Sequence, residues 1–196
     1  MKLLYALASP YARKVLIVAH EKGLAGSVEI QTAAPMTDGA MVNPVNPLGK
    51  VSALIRDDGQ ALYDSPVICE YLDATGSGPA LIPAAGEARW AVLRTQALAD
   101  GILDAAFSLV MESRRPESER SASWMARWTA AILRGAAAAP TPADSDWSLA
   151  EIALACAFGY LDFRLPEIDW RAEAPGLAAW YAKAAQKTVM VETAPA

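Results

Sequence analysis

The amino-acid sequence predicts two domains, an α/β domain followed by an all-helical domain. Strand-like and helix-like segments alternate over roughly the first 75 residues, in the order βαβ, loop, ββα. From Glu87 onward, the apolar residues recur with the period of a helix. Between these regions lies GSGPALIPAAG, which contains few helix-forming residues. We therefore expect an N-terminal domain over 1–76, a linker over 77–86 and a helical domain over 87–196.

The first three elements of the N-terminal domain are a strand, a helix and a second strand. The opening run KLLYAL is apolar and of strand length. The segment from Pro10 to Lys22 has its apolar residues on one helical face, and Gly23 follows as a stop signal. Next, SVEIQT alternates apolar and polar residues, which indicates a strand.

The rest of this domain is predicted as a loop, a β-hairpin and a helix. Residues 33–50 are rich in proline, glycine and asparagine, so we expect them to be irregular. The runs VSALIR and QALYD flank Asp57-Asp58-Gly59, a typical hairpin turn. Ser65 is expected to cap a helix that runs to about Thr75.

The second half is predicted to contain four main helices. Ser148-Leu149-Ala150-Glu151 is a capping box, in which the serine and glutamate side chains satisfy free amide groups at the helix start. The apolar run that it opens, IALACAFGYL, is expected to form the buried centre of this half. The predicted helices cover approximately 87–113, 117–138, 148–162 and 175–187.

Composition excludes several classes of function. The net charge is -5 and the 17 basic residues are dispersed, which argues against binding to nucleic acid. No apolar stretch approaches the roughly 20 residues that span a bilayer. The N-terminus has no features of a leader peptide, so we expect a cytoplasmic protein.

The sequence does not predict a metal site or a disulfide. Cys69 and Cys156 lie far apart within apolar helical patterns, so we expect buried, inert thiols. His20 is the single histidine, which argues against a serine–histidine–aspartate triad and against a histidine-based metal centre.

Two helices are predicted to start with the same device. Ser9-Pro10 follows the first strand, and Ser65-Pro66 follows the hairpin. Serine is a good N-cap and proline a favoured first helical residue, so a plain helix start would explain each copy alone. Two helix N-termini at one edge of a sheet would also bind a ligand with more than one negative group. Asp64 beside them would suit an amine on that ligand.

Four motifs together resemble those of the cytosolic glutathione transferase family. They are Ser9-Pro10-Tyr11, Asn46-Pro47-Leu48-Gly49-Lys50-Val51, Tyr63-Asp64-Ser65-Pro66-Val67-Ile68 and Ser148-Leu149-Ala150-Glu151-Ile152-Ala153. Each is weak alone, but they occur in the family's order over nearly the whole chain. The resemblance implies an N-terminal thioredoxin-like βαβ-ββα domain, an all-helical C-terminal domain and a cytoplasmic enzyme of detoxification.

The resemblance also implies roles for individual residues. Ser9 would be the catalytic residue, donating its hydroxyl hydrogen to the sulfur of glutathione, the co-substrate, and lowering the thiol pKa from about 8.5. Val51 would pair its backbone with the cysteinyl part of the tripeptide. Asp64 and Ser65 would bind the amine and the carboxylate of the γ-glutamyl end. Lys50 would neutralise the glycyl carboxylate, although a solvated turn lysine is an equally good interpretation.

The second substrate is implied to be a small hydrophobic electrophile. The candidates for its apolar pocket are Tyr11, Phe107 and Met111; the last two are four residues apart and share a helical face, and ordinary core packing also explains them. Asp100 resembles an aspartate that, in some classes, reaches the partner subunit's γ-glutamyl site. That role implies a homodimer.

One position departs from the family pattern and supports an alternative. The family has a cis-proline directly after the Val51 position, where this chain has Ser52. Either the Val51–Ser52 bond is cis, or it is trans and the Val51 backbone points elsewhere. The second case would favour a non-catalytic binding or regulatory protein with a weakened glutathione site. Glutathione-dependent reduction is disfavoured, because it usually needs a cysteine at the Ser9 position.

Overall fold

The computed structural model describes residues 1–195 as two compact units. The first unit contains residues 1–83 together with 188–195, and the second contains residues 84–187. The sequence analysis places all of 87–196 in the helical domain, whereas in the structure the C-terminal segment, residues 188–195, belongs with the first unit.

The first unit is built on a mixed four-stranded sheet. Its strands are β1 (Lys2–Tyr5), β2 (Glu29–Thr32), β3 (Ala53–Ile55) and β4 (Ala61–Leu62), in the spatial order β2-β1-β3-β4. β1 is parallel to β2 and antiparallel to β3, and β3 is antiparallel to β4. The register places Leu4 opposite Ala53 and Leu54 opposite Leu62. The predicted α/β arrangement is confirmed.

The helices follow the predicted order, with three short additions. In chain order they are α1 (Pro10–Glu21), α2 (Gly39–Val42), α3 (Ser65–Thr75), α4 (Gly86–Ser113), α5 (Ala122–Ala138), α6 (Leu149–Arg164), α7 (Trp170–Glu173), α8 (Pro175–Ala184) and α9 (Thr188–Glu192). Single 3₁₀ turns occupy Ala25–Ser27 and Glu117–Glu119. The sequence analysis did not predict α2, α7 or α9, because helices of four or five residues are too short to show a period.

Several predicted helix boundaries differ from those observed. Ser65 is the first residue of α3, and the N-cap is Asp64. α5 starts at Ala122 rather than near 117, because the Ser121 hydroxyl accepts a hydrogen bond from the amide of Trp124 at 3.4 Å. The helix expected over 175–187 ends at Ala184.

The two main helices of the first unit pack against each other beside the sheet. α1 contacts α3, and α3 contacts β3. The core they share is fully buried and aliphatic, which accounts for the apolar spacing seen in both helices. Its members include Leu3, Val15, Val18, Leu54, Ile68 and Leu72.

A buried ion pair joins the C-terminal ends of these two helices. Lys22 Nζ lies 3.1 Å from Asp73 Oδ1 and also donates to the carbonyls of Gly78 and Pro79, at 2.7 and 2.9 Å. The Asp73 carboxylate accepts from the amides of Leu81 and Ile82, at 2.8 and 3.0 Å. Burial of an ion pair is tolerated where such additional hydrogen bonds satisfy both partners.

The chain after α3 passes very close to the end of α1. A Cβ atom at Gly76 would overlap Lys22, and one at Gly78 would overlap the carbonyl of Glu21. The amide of Ser77 donates to the carbonyl of Lys22 at 3.0 Å. Gly76 and Gly78, which the sequence analysis assigned to the end of the first domain and to the linker, are therefore needed for the chain to pass this close to α1.

The second unit is organised around α6. As predicted, α6 is the buried centre, and its start carries the capping box: the amide of Ser148 donates to Glu151 Oε2 at 2.7 Å, and the Ser148 hydroxyl accepts from Ala150 at 3.2 Å. α4 packs against both α5 and α6. The Trp170 ring packs on Phe158, with centroids 4.3 Å apart.

Two further expectations can be compared with the structure. Cys69 and Cys156 are both buried, as predicted, and neither forms a disulfide bond within residues 1–195. Within residues 1–195, no helix combines the length and the apolar character that a membrane span requires.

The close approach at Gly78 can be tested by Gly78→Ala. The added Cβ meets a backbone oxygen that cannot move without displacing α1, so we expect a loss of about 1–3 kcal/mol of unfolding free energy. Urea denaturation measures it. The control is Gly26→Ala, where an added Cβ meets nothing within 4 Å and the change should stay within about 0.5 kcal/mol. Equal stability of the two variants would contradict the packing.

Candidate functional site

The strand directions bring five of the candidate residues to one edge of the sheet. Because β3 is antiparallel to both β1 and β4, the last residues of β1 and β4 lie at the same edge as the first residue of β3. Ser9 follows β1, Lys50 and Val51 precede β3, and Asp64 and Ser65 follow β4. We call this the carboxyl edge.

Ser9 is the N-cap of α1. Its Oγ accepts a hydrogen bond from the amide of Ala12 at 3.3 Å, and its own amide donates to the carbonyl of Ala6 at 2.8 Å. Among residues 1–195, the Ser9 hydroxyl hydrogen has no acceptor. The hydroxyl can therefore cap the helix with its oxygen and still donate its hydrogen to a ligand.

The loop before β3 is organised by Asn46, which is 1% exposed. Its side-chain amide donates to the carbonyl of Lys50 at 2.9 Å, and its Oδ1 accepts from the amide of Leu48 at 3.0 Å. Gly49 has a positive φ of 63°, which glycine adopts readily. These contacts orient Lys50 and Val51. The sequence analysis placed Asn46 in the same motif but did not predict that its side chain holds this loop.

The Val51 backbone is unpaired in the described part of the chain, where neither its amide nor its carbonyl forms a hydrogen bond. An extended peptide could use both groups, as an added strand does. The Val51–Ser52 bond is cis, as is the Tyr63–Asp64 bond.

Two opposite charges at the carboxyl edge are available to a ligand. The Lys50 ammonium and the Asp64 carboxylate are exposed, and neither has a hydrogen-bond or ion-pair partner within residues 1–195. Ser65 is buried at the first position of α3. α1 and α3, of 12 and 11 residues, both point their N-termini to this edge, where free amides and helix dipoles favour anions.

The remaining candidates lie elsewhere. Tyr11 is half-buried in the first turn of α1, next to the carboxyl edge. Asp100, Phe107 and Met111 are on α4 in the second unit, where Phe107 is 48% exposed and the other two are half-buried.

The second unit contains a cavity of about 500 Å³. Neither Phe107 nor Met111 lines it. Its walls come from α4, α5, α7 and the chain before α7, and they are largely apolar with carboxylates among them; they include Leu109, Met125, Leu133, Ile168, Glu167 and Glu173.

The structure also shows a buried cation that the sequence analysis did not predict. Arg13, one turn after Ser9, is only 7% exposed and binds the C-terminal segment. No local pattern indicates this contact, because its partners are 177 and 180 residues away.

In the described residues, no group of three or more histidine, cysteine, aspartate or glutamate side chains is arranged to hold a metal ion.

Comparison with known proteins identifies relatives over the whole chain. Residues 8–75 match the family model for the glutathione S-transferase N-terminal domain, and residues 122–183 match the model for the C-terminal domain. An uncharacterized GST-like protein, YibF of Escherichia coli K12, is 36% identical over 183 residues, which is 90% of each chain.

Solved structures give the same result. A glutathione transferase family member from Pseudomonas fluorescens Pf-5, crystallised with bound glutathione, is 42% identical with a TM-score of 0.94, over 100% of this chain and 98% of that one. A glutathione S-transferase from Methylobacillus flagellatus KT, also with glutathione bound, is 40% identical with a TM-score of 0.90, over 100% and 99% of the two chains.

The hydroxyl of Ser52 provides a test of the packing at this edge. Ser52 is 3% exposed, and its Oγ is buried with no partner in the described structure. Since an unsatisfied buried hydroxyl costs free energy, Ser52→Ala should stabilise the protein by about 1 kcal/mol in urea denaturation. Ser27→Ala, at an exposed serine of the same unit, should change stability by less than about 0.5 kcal/mol. A destabilised Ser52→Ala would show that the hydroxyl has a partner in solution.

Proposed function

The chain belongs to the glutathione S-transferase family, and we propose that it is a glutathione transferase that conjugates glutathione to small hydrophobic electrophiles. The observation that carries this proposal is the convergence of Ser9, the unpaired Val51 backbone and the Asp64-Ser65 helix start on the carboxyl edge. Relatives that are at least 40% identical over the whole chain have been crystallised with glutathione bound.

Ser9 activates the thiol in this proposal. Its free hydroxyl hydrogen is donated to the glutathione sulfur, and the N-terminus of α1 adds a positive potential. Both stabilise the thiolate, so the thiol releases its proton to solvent more readily. Ser9 keeps its own proton and is not a nucleophile.

The tripeptide is held by complementary groups. Its cysteinyl backbone pairs with the amide and carbonyl of Val51. Its γ-glutamyl amine lies at the Asp64 carboxylate, and its γ-glutamyl carboxylate lies at Ser65 and the N-terminus of α3. Lys50 neutralises the glycyl carboxylate. Charged or hydrogen-bonding contacts from these four residues fix the sulfur near Ser9, which supplies the proximity that the reaction needs.

The reaction is then an attack by the thiolate on an electrophilic carbon. A carbon–sulfur bond forms with the sulfur electron pair. Either a leaving group departs with its own electron pair, or the pair of an activated double bond takes up a proton. We assign Phe107 and Met111 to an apolar pocket of the second unit, and Tyr11 to an apolar contact in the first unit. Asp100 is assigned to the γ-glutamyl site of the partner subunit in a homodimer. We also propose that the protein acts in the cytoplasm and serves in detoxification.

The role of Ser9 is tested by Ser9→Ala. A hydrogen bond to a charged group is worth about 1.5–3 kcal/mol, so we expect kcat/KM with a small activated aryl halide to fall about 10–100-fold. Glutathione affinity in calorimetry should change by less than about threefold.

The matched control is Ser121→Ala, which removes the N-cap of α5 and leaves turnover unchanged. Native turnover by Ser9→Ala with every electrophile tested would rule out Ser9 as the activating group. Glutathione binding by the native protein without turnover of any electrophile would instead indicate the non-catalytic binding protein.

The role of Asp64 is tested by Asp64→Asn. The carboxylate makes no capping hydrogen bond and has no partner in the described chain, so stability should change little. Loss of the ionic contact with the γ-glutamyl amine should weaken glutathione binding about tenfold in calorimetry. Glu117→Gln, at an exposed carboxylate of the second unit, should bind like the native protein. Native affinity in Asp64→Asn would remove Asp64 from the site.

A further inference from the structure

Arg13 is a buried cation in the helix that carries Ser9. Its Nη2 donates to the carbonyl of Met190 at 2.7 Å, and its Nε donates to Thr193 Oγ1 at 3.3 Å. The acceptor residues are buried too, with Met190 2% and Thr193 4% exposed. The Thr193 hydroxyl donates in turn to the carbonyl of Val189 at 2.6 Å.

These hydrogen bonds are needed for the Arg13 guanidinium to be buried inside the first unit. A buried guanidinium costs several kcal/mol unless its N–H groups find acceptors. In the part of the chain that the structure describes, Arg13 has no carboxylate partner, and its acceptors come from the C-terminal segment. Docking of that segment therefore supplies the hydrogen bonds that allow Arg13 to be buried.

The same residue holds the backbone of Ser9. The Arg13 amide donates to the carbonyl of Ser9 at 3.0 Å, which closes the first turn of α1. Terminal turns of helices fray readily, because few hydrogen bonds hold them. Here the backbone amide of Arg13 closes the turn, and its side chain is fixed by the C-terminal segment.

We propose that Arg13 is a positioning residue, through which the docked C-terminal segment holds the first turn of α1 and keeps the Ser9 hydroxyl in place for the glutathione sulfur. The inference rests on the proposed role of Ser9. It assigns to residues 188–195 a part in activating the thiol, although Arg13 does not touch the substrate in this proposal.

The test compares Arg13→Met, Arg13→Lys and Thr193→Val with the control Thr75→Val. Thr75 lies in the same unit, and its hydroxyl also donates to the carbonyl four residues earlier, at 2.8 Å, but it has no contact with Arg13. Two properties are measured. One is the pKa of the bound glutathione thiol, from the ultraviolet absorbance of the thiolate. The other is hydrogen exchange of the residue-13 amide without ligand.

We expect Arg13→Met to raise the thiol pKa by about one unit, which reduces the thiolate fraction at neutral pH about tenfold. Arg13→Lys should show a shift of the same direction, because an ammonium group cannot reproduce the guanidinium's two-acceptor geometry. Thr193→Val should shift the pKa less and speed exchange of the residue-13 amide several-fold. Thr75→Val should leave both properties at their native values.

Two results would overturn the proposal. A native thiol pKa in folded, glutathione-binding Arg13→Met and Thr193→Val would make Arg13 merely structural. If the thiol pKa is native in Arg13→Lys but raised in Arg13→Met, then the positive charge matters and the hydrogen bonds to the C-terminal segment do not. If Arg13→Met fails to fold, Thr193→Val and Arg13→Lys decide the question.

Failure of the proposed function would look different. In that case the native protein would not bind glutathione, or the pKa of the bound glutathione thiol would be the same in Ser9→Ala as in the native protein. The exchange measurement needs no ligand. A native exchange rate of the residue-13 amide in Thr193→Val would therefore by itself overturn the proposal that the C-terminal segment holds the first turn of α1.

Discussion

The antiparallel pairing of β3 with both β1 and β4 is the constraint on which the candidate site depends. It makes β1 and β4 run in the same direction, so the two helices that follow them start at one edge of the sheet. It also places the residues that enter β3 at that edge. A hydroxyl donor, an unpaired stretch of backbone and two helix N-termini then lie together, although up to 56 positions separate Ser9 from Ser65.

Buried cations tie α1 to distant parts of the first unit. Lys22 binds Asp73 and two carbonyls of the chain after α3, and Arg13 binds the C-terminal segment. Each charge is acceptable inside the protein only because several acceptors reach it. α1 is therefore held by specific polar contacts near its start and at its end, as well as by apolar packing. This fits the role that we propose for Ser9 at the start of that helix.

The chemistry at this edge needs little from the protein. A thiolate is already a strong nucleophile, so stabilising its charge and holding it in place account for activation without a base or a metal ion. A serine with its hydroxyl hydrogen free, at a helix start with no acidic residue in its first turn, provides that environment. In the proposed function the reactive sulfur belongs to glutathione, so Ser9-Pro10-Tyr11 needs no cysteine of its own.

The sequence by itself determined the features that depend on neighbouring residues. The two-part architecture, the Ser-Pro helix starts, the Asp57-Asp58-Gly59 hairpin and the Ser148 capping box were predictable, because helix periods, caps and turns are set within a few positions. The candidate residues of the carboxyl edge were found in short motifs, and the roles of Lys50 and Val51 came only from the resemblance of those motifs to the family. Only the tertiary structure decided how these parts are held: the return of residues 188–195 to the first unit, the burial of Arg13, and the Lys22–Asp73 pair. Those contacts join residues 51 to 180 positions apart, and hydrogen bonds over such separations leave no period or motif in the chain.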